Sequence, residues 1–202
     1  TPQNPTNVSP FTVTAQFSKT VIGVDIGDFV VVGGTTSNFV AVDGDTYTVQ
    51  VAQTASSITI NMAASAATDT VGNPSTVAPQ LAVTFDNTAP TFTMQYYSDS
   101  ALTIPLADNP KLKAGTYYIK ITSSESLSGV PTISIAAEGT ANDVTSAATS
   151  LVLGNDYLYT RVITSDASAI GSVLEDVSIT GTDTAANTST SVNPTNEATK
   201  AA

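Results

Sequence analysis

The chain has 202 residues, of which 41% are hydrophobic and 11% are charged, and its formal net charge is −11. This apolar content is enough to build a core, whereas disordered chains combine few apolar residues with many charges. The 17 acidic residues and the lack of any basic cluster repel phosphate backbones and anionic lipid headgroups. We therefore expect neither nucleic acid nor a membrane as a partner, and no apolar run is long enough to cross a bilayer.

Histidine, cysteine and tryptophan are all absent from the sequence. Zinc and haem sites therefore lack their usual ligands, and thiol nucleophiles and Ser-His-Asp triads are excluded. Acid–base catalysis would rest on Asp and Glu alone, and no apolar cleft is indicated around any pair of them. We predict that the protein is not an enzyme.

The first half of the chain predicts short strands, most of which alternate apolar and polar residues. These strands cover residues 11–18, 28–32, 47–51, 58–62 and 81–85. Turns rich in Gly, Asn, Asp and Pro separate them, which is typical of a β-sandwich.

The second half repeats this order, with strands predicted at residues 117–122, 132–135, 157–162 and 176–180. No window has a helical period, and only short turns are expected near residues 63–67 and 141–148. A segment that contains Pro, at residues 86–91, separates the halves. The sequence therefore predicts an all-β chain of two domains, at residues 1–88 and 89–202.

A repeated turn supports this division. Residues 68–76 closely match residues 182–190, so that Asp183 follows Asp69 by 114 positions. The second copy has Ala186 in place of Gly72, and its last segment, residues 193–202, is polar. We therefore expect the second domain to lack a closing strand equivalent to residues 81–85. That strand lies beyond the chain or comes from a neighbour.

Five segments of the first half, in order, carry a resemblance to a known family. They are residues 17–21, 28–31, 47–49, 67–73 and 85–90, which include an FSEPV-like start, a DxxGN turn and a DTTAPT-like linker. In this order they resemble a bacterial Ig-like repeat of large surface adhesins and other long exported proteins. The second half is similar but looser, at residues 124–127 and 183–187. The resemblance implies two tandem immunoglobulin-like β-sandwich domains.

Asp69, Gly72 and Asn73 form an Asp-x-x-Gly-Asn turn. The favoured interpretation is structural, because Asp caps such turns through the backbone and Gly supplies a positive φ. The alternative is calcium, which binds carboxylate and amide oxygens. The resemblance implies a stiffening calcium ion at a domain junction, with Asp86 as the first ligand, Asp69 and Asn73 next, and Asp183 in the second domain.

Other candidate residues have a structural interpretation that competes with a functional one. The Asp-Gly-Asp sequence at residues 43–45 predicts a hairpin turn rather than a calcium loop. The tyrosine pairs at residues 96–97 and 117–118 could form sugar platforms, but adjacent strand residues face opposite ways, so one of each pair belongs in the core. Asp25 and Asp28 fit a loop and a strand start. Lys19 could form an isopeptide bond with an Asn, and no pairing is evident.

The repeat, the Pro linker and the missing catalytic residue types favour a non-catalytic spacer or adhesive module. We expect it to be a fragment of a large prokaryotic protein that is secreted or displayed on the cell surface. Its expected partners are neighbouring Ig-like modules, copies of itself, surface glycans, or ligands on host or other cells. Two alternatives stay open: a subunit of an extracellular filament or S-layer with intersubunit strand pairing, and an accessory carbohydrate-binding module.

Overall fold

The structure, a computed structural model, describes residues 2–107, 110–136, 142–164, 173–192 and 199–200. These residues are all-β apart from one 3-10 helix, η1, at Ile26–Asp28. Within them, no helix is long and apolar enough to span a membrane. Contacts divide the chain into two compact units, Thr1–Asn87 and Thr88–Ala202, one residue before the predicted boundary. The predicted all-β class is confirmed.

In the described residues, eight short strands build the first unit. They are β1 (Phe11–Gln16), β2 (Val21–Ile22), β3 (Val30–Val32), β4 (Gly34–Ala41), β5 (Thr46–Gln53), β6 (Ser57–Asn61), β7 (Thr68–Asp69) and β8 (Leu81–Thr84). One sheet has the order β1-β5-β4 and another the order β3-β6-β8, while β2 pairs with β7. Consequently β1 and β8 are edge strands of different sheets.

The core of the first unit lies between its sheets because side chains alternate along each strand. On β5, Val49 and Val51 are completely buried, and Ile58 of β6 packs in the same cluster. The other buried members are Phe11, Val13, Val21, Phe29, Tyr47, Ile60, Met62, Ala67 and Val83. Most of them occupy the apolar positions of the predicted strands, so the alternating pattern located this core.

The segment that leads into β1 covers the outer edge of β8. Thr6 N–H donates to the Thr84 carbonyl at 3.0 Å, and Asp86 N–H donates to the Thr6 carbonyl at 3.0 Å. The Asn4 side chain bonds the same strand, accepting from Thr84 N–H at 2.8 Å and donating to the Ala82 carbonyl at 3.1 Å. The chain then crosses to the other sheet as β1. The edge of β8 is thus paired by the protein itself.

Eleven strands build the described part of the second unit. They are β9 (Phe92–Tyr97), β10 (Lys111–Leu112), β11 (Gly115–Ser123), β12 (Thr132–Ala136), β13 (Val144–Ala148), β14 (Ser150–Leu153), β15 (Asp156–Ile163), β16 (Val173–Leu174), β17 (Asp176–Thr182), β18 (Thr188–Val192) and β19 (Thr199–Lys200). The two larger sheets have the orders β14-β15-β11-β9 and β13-β12-β17-β18. A smaller sheet has the order β10-β19-β16.

The second unit has a separate core, which lies between its two larger sheets. Ile119 and Ile121 on β11, and Val177 and Ile179 on β17, are completely buried. The other buried members are Phe92, Met94, Tyr96, Leu112, Ile133, Ile135, Tyr157 and Ile163. Each unit therefore buries its own apolar cluster, as a β-sandwich requires.

The pair β1–β5 of the first unit corresponds to β11–β15 of the second. At the end of β1, Phe17 N–H donates to the Asp45 carbonyl at 2.9 Å; at the end of β11, Ser123 N–H donates to the Asn155 carbonyl at 2.9 Å. The chain then reaches a residue that pairs with the Asp of the repeated turn in both units. One difference stands out: β11 has a second neighbour, β9, whereas β1 has none among the described residues.

Strand β18 was not predicted, and the expected lack of a strand equivalent to residues 81–85 stays a prediction, because the corresponding residues 195–198 lie outside the described residues. β18 follows the repeated turn directly and pairs antiparallel with β17, as β8 pairs with β6. It was missed because it consists of Thr and Ser except for Val192, so it shows no apolar alternation. Hydroxyl pairs support it instead: Thr180 and Thr190 lie 2.8 Å apart, and Thr182 and Thr188 lie 2.7 Å apart, measured between Oγ1 atoms.

Two local predictions are also corrected. The turn expected near residues 141–148 is strand β13 over its described part, which pairs with β12 through a bulge. Asp25 and Asp28 do not mark a loop and a strand start; they form a capping box around η1, and strand β3 begins only at Val30. Asp25 accepts from Gly27 N–H at 2.7 Å, and Asp28 accepts from Asp25 N–H at 2.8 Å.

Proline substitutions test the pairing of β18 with β17. Asp183 N–H donates to Asn187 O, so alternate residues of β18, including Ser191, direct their N–H groups to β17. Ser191→Pro is expected to lower the free energy of unfolding by about 1–3 kcal/mol, because a ladder bond is lost. Val192→Pro is the matched control, since its N–H faces away from β17 and its exposed side chain has no hydroxyl group to lose. Urea denaturation followed by circular dichroism measures both, and equal effects would contradict the pairing.

Candidate functional site

The first repeated turn is held by the side chain of Asp69, which is 8% exposed. Its Oδ1 accepts from Val71 N–H at 3.1 Å and from Asn73 N–H at 2.8 Å, while its Oδ2 accepts from Asn73 Nδ2 at 2.8 Å. Gly72 has a φ of 92°, in the left-handed region that favours glycine. These contacts match the structural interpretation of the turn.

Hydrogen bonds also set the charge state of this carboxylate. The Asn73 side chain, the Asn73 backbone N–H and the Val71 N–H all favour the ionised form, and together they lower the pKa of Asp69 to about 2. Lys19 lies 3.5 Å from Oδ2, and its side chain is 68% exposed, so water screens this ion pair. Lys19 therefore pairs with Asp69, and the isopeptide bond considered for Lys19 is not tested by this contact.

The second turn reproduces the first without its glycine. Asp183 is 1% exposed and accepts from Ala185 N–H and Asn187 N–H, each at 2.8 Å, and from Asn187 Nδ2 at 2.8 Å. The turn keeps its geometry without the glycine, since Ala186 adopts a φ of 73°. An L-residue in this region costs about 1–2 kcal/mol, so the bonds to Asp183 hold the turn against this strain.

Three of the predicted calcium ligands, Asp69, Asn73 and Asp86, belong to the first unit, and Asp183 belongs to the second. Asp69 and Asn73 contact one another, and Asp183 forms the equivalent turn of the second unit. Both oxygens of Asp69 and both oxygens of Asp183 already accept hydrogen bonds, which leaves less of each carboxylate for a hard cation. Asp86 follows β8, and its N–H donates to Thr6. Calcium binding at these four residues stays a prediction, with Asp86 as the first ligand.

The Asp-Gly-Asp sequence closes the hairpin between β4 and β5, as predicted. Asp43 Oδ1 accepts from Asp45 N–H at 3.0 Å and from Thr46 N–H at 2.8 Å, and these bonds lower the pKa of Asp43. The carboxylate caps its own turn, which is the interpretation that the sequence favoured.

The tyrosine pairs form no exposed aromatic row in the described residues. Tyr96 is completely buried, Tyr97 is half-buried beside it, and both Tyr117 and Tyr118 are half-buried. The predicted split into one core and one surface residue therefore fits the first pair better than the second. Lys120 on β11 reaches across the sheet to Asp156, with Nζ 2.7 Å from Oδ2. This placement gives no specific support to a sugar-binding surface.

A buried ion pair in the second unit was not predicted. Arg161 Nη2 donates to Glu175 Oε1 at 2.5 Å, and each residue is 1% exposed. Tyr96 Oη donates to Glu175 Oε2 at 3.2 Å, and Arg161 Nη1 donates to the Asn142 carbonyl at 2.5 Å. The signal was available, because Arg161 is the single arginine of the chain and shares the inward face of β15 with Tyr157.

An open groove of about 700 Å³ lies along β1 in the first unit. Its opposite wall is the segment that leads to β8, which is held on the other sheet by Ala78 N–H donating to Met62 O at 3.1 Å. The apolar lining includes Val13, Ala15, Phe17, Phe29, Met62 and Leu81. Lys19 and Asp69 are the charged residues of the lining, and they pair with each other.

These features define a β-sandwich protein whose carboxylates mainly support turns. Residues 3–86 match the family model of the bacterial Ig-like domain. This match confirms the resemblance inferred from the segments of the first unit. No curated protein and no solved structure matches the chain.

The pKa of Asp69 predicts a pH dependence of stability. Its folded value, about 2, lies below the ordinary value of 3.8, so the unfolded chain binds more protons between these values. The contribution of Asp69 to the free energy of unfolding is complete above this window and is lost as the pH falls through it. Asp69→Asn should therefore destabilise the protein at pH 6 and much less at pH 2.

Urea midpoints at the two pH values, followed by the NMR signals of residues in the first unit, measure this difference. Lys19→Gln is the control, and its effect should be small at both pH values because the Lys19 side chain is mostly exposed. If Asp69→Asn lowers the stability equally at both pH values, the lowered pKa assigned to Asp69 is wrong.

The buried ion pair predicts a different pattern. Glu175→Gln removes the negative charge and leaves Arg161 uncompensated in the core, which should cost about 3–5 kcal/mol. The double variant Arg161→Met, Glu175→Leu should recover most of this loss, because apolar residues of similar volume replace such pairs well. Denaturant unfolding of the full chain gives both values. A double variant as unstable as Glu175→Gln would count against this account.

Proposed function

We propose that this chain is a non-catalytic structural module of a bacterial surface or secreted protein, where it acts as a spacer or an adhesive domain. The observation that carries the proposal is the bacterial Ig-like domain at residues 3–86. Such domains commonly occur in surface proteins and are typically non-catalytic. The second unit repeats the turn and the core strand pairs of the first, which suits a protein built from repeated modules.

The engagement of the acidic side chains also supports a structural role. Asp43, Asp69 and Asp183 each accept backbone hydrogen bonds within their own turns. A general acid or base needs a raised pKa and access to a substrate, whereas the pKa values of Asp43 and Asp69 are lowered.

Force spectroscopy of the full chain tests the spacer role. A module that transmits tension should unfold as a unit, so we expect two unfolding events. Their extensions follow from the chain lengths of Thr1–Asn87 and Thr88–Ala202, at roughly 30 and 40 nm. A single event that releases the whole chain would contradict two independent modules.

Calcium is a separate arm of the same experiment. If Asp86 binds structural calcium, a concentration one hundred times the Kd should stabilise its unit by about 2.7 kcal/mol, and chelation should remove this effect. Asp86→Asn should then be insensitive to calcium. If the unfolding force is the same with calcium, with chelator and in the variant, the calcium proposal is wrong and the turns are purely structural.

A further inference from the structure

The outer edge of β1 has hydrogen-bonding groups with no strand partner in the described residues. Phe17 N–H donates to the Asp45 carbonyl, and this bond continues the β1–β5 ladder beyond Gln16 and Thr46. Because successive residues of a strand direct their backbone groups to opposite sides, the odd-numbered residues of β1 face β5. The N–H and C=O groups of Thr12, Thr14 and Gln16 therefore face away from it.

The groove of the first unit runs along this edge. Consecutive residues 13–19 line it, including Thr14 and Gln16, whose side chains belong to the outer face of the sheet. The groove must therefore meet these two residues at their backbone edge. The segment at Asn4 and Thr6, which could have covered β1, pairs instead with β8. The apolar lining of the groove thus lies beside backbone N–H and C=O groups of β1 that have no strand partner in the described residues.

The second unit shows what fits such an edge. There β9 lies antiparallel on the outer side of β11, the strand that corresponds to β1, with Ile121 opposite Met94 and Ile119 opposite Tyr96. Phe92, Met94 and Tyr96 point into the core and are buried. A single extended strand therefore pairs the edge and fills the space between the sheets.

In both units the space between the sheets, beside β1 or β11, ends at the repeated turn. In the second unit a Cβ on Gly181 would lie 2.6 Å from Cζ of Phe92, so the Phe92 ring packs directly against the strand before Asp183. In the first unit Ala67 occupies the corresponding place, two residues before Asp69, and Asp69 lines the groove. The groove is therefore the position that β9 holds in the second unit.

We propose that β1 accepts an extended strand from a different polypeptide, which pairs with its outer edge and places alternate apolar side chains in the groove. Such strand addition is a common mode of peptide recognition. The sequence of β9, with no charged residue, shows that an uncharged strand fits the equivalent position. The first unit has six acidic residues and one basic residue, so a neutral or basic partner is favoured over a second acidic copy.

The test uses the full chain and a synthetic peptide with the sequence of residues 91–98, with a scrambled peptide as control. We expect saturable binding by NMR titration and slower hydrogen exchange of the Thr12, Thr14 and Gln16 amides. Thr14→Pro removes one outward donor at a position where an edge strand tolerates proline, and it should weaken binding roughly tenfold or more. Thr14→Ala keeps the donor and should bind as the unchanged chain does.

Ala78→Leu provides a second variant that leaves β1 untouched, since Ala78 lies on the opposite wall of the groove. It should weaken binding by filling the groove, and thermal unfolding checks that each variant is folded. Absence of peptide binding, or binding that ignores both Thr14→Pro and Ala78→Leu, would overturn the proposal. Dimers of the peptide-free chain that disappear in Thr14→Pro would also overturn it, because the occupant would then be a second copy.

Discussion

A β-strand with one neighbour leaves half of its backbone donors and acceptors without a strand partner, and the organisation of both units depends on how this is resolved. In the first unit the segment at Asn4 and Thr6 pairs with the edge of β8. In the second unit β9 pairs with the edge of β11. The two leading segments therefore pair with edges of different sheets, and no strand of the described residues pairs with the outer edge of β1.

The repeated turns show how much local chemistry alone can specify. The Asp accepts hydrogen bonds from the residues two and four positions later. Because these partners are close in sequence, the turn could be predicted from the local sequence alone. For the same reason the loss of glycine at Ala186 leaves the geometry intact: the bonds to Asp183 outweigh the cost of a left-handed residue. Turn identity was therefore the most predictable part of the candidate site.

Other features were not predictable because their causes are distant in sequence. β18 is a strand through its ladder to β17, although its polar side chains give no apolar period. The partner of Arg161 is fixed by packing of β15 near Glu175, so periodicity could place the arginine inside but could not name its counterion. The groove arises from the path of the segment before β1, which the alternating pattern of β1 does not encode. Strand cores were thus predicted, whereas edges and pairings were not.

Gly181 links these observations to other proteins built from such modules. A Cβ there would lie 2.6 Å from Cζ of Phe92, so the glycine two residues before the turn Asp makes room for the ring of the covering strand. The first unit has Ala67 at this place, and within the described part of the chain no such strand pairs with β1. We therefore expect the residue at this position to distinguish two kinds of module along a longer repeat array. Modules with glycine would pair this edge with a strand of their own, and modules with a larger residue would leave it to a strand of another polypeptide.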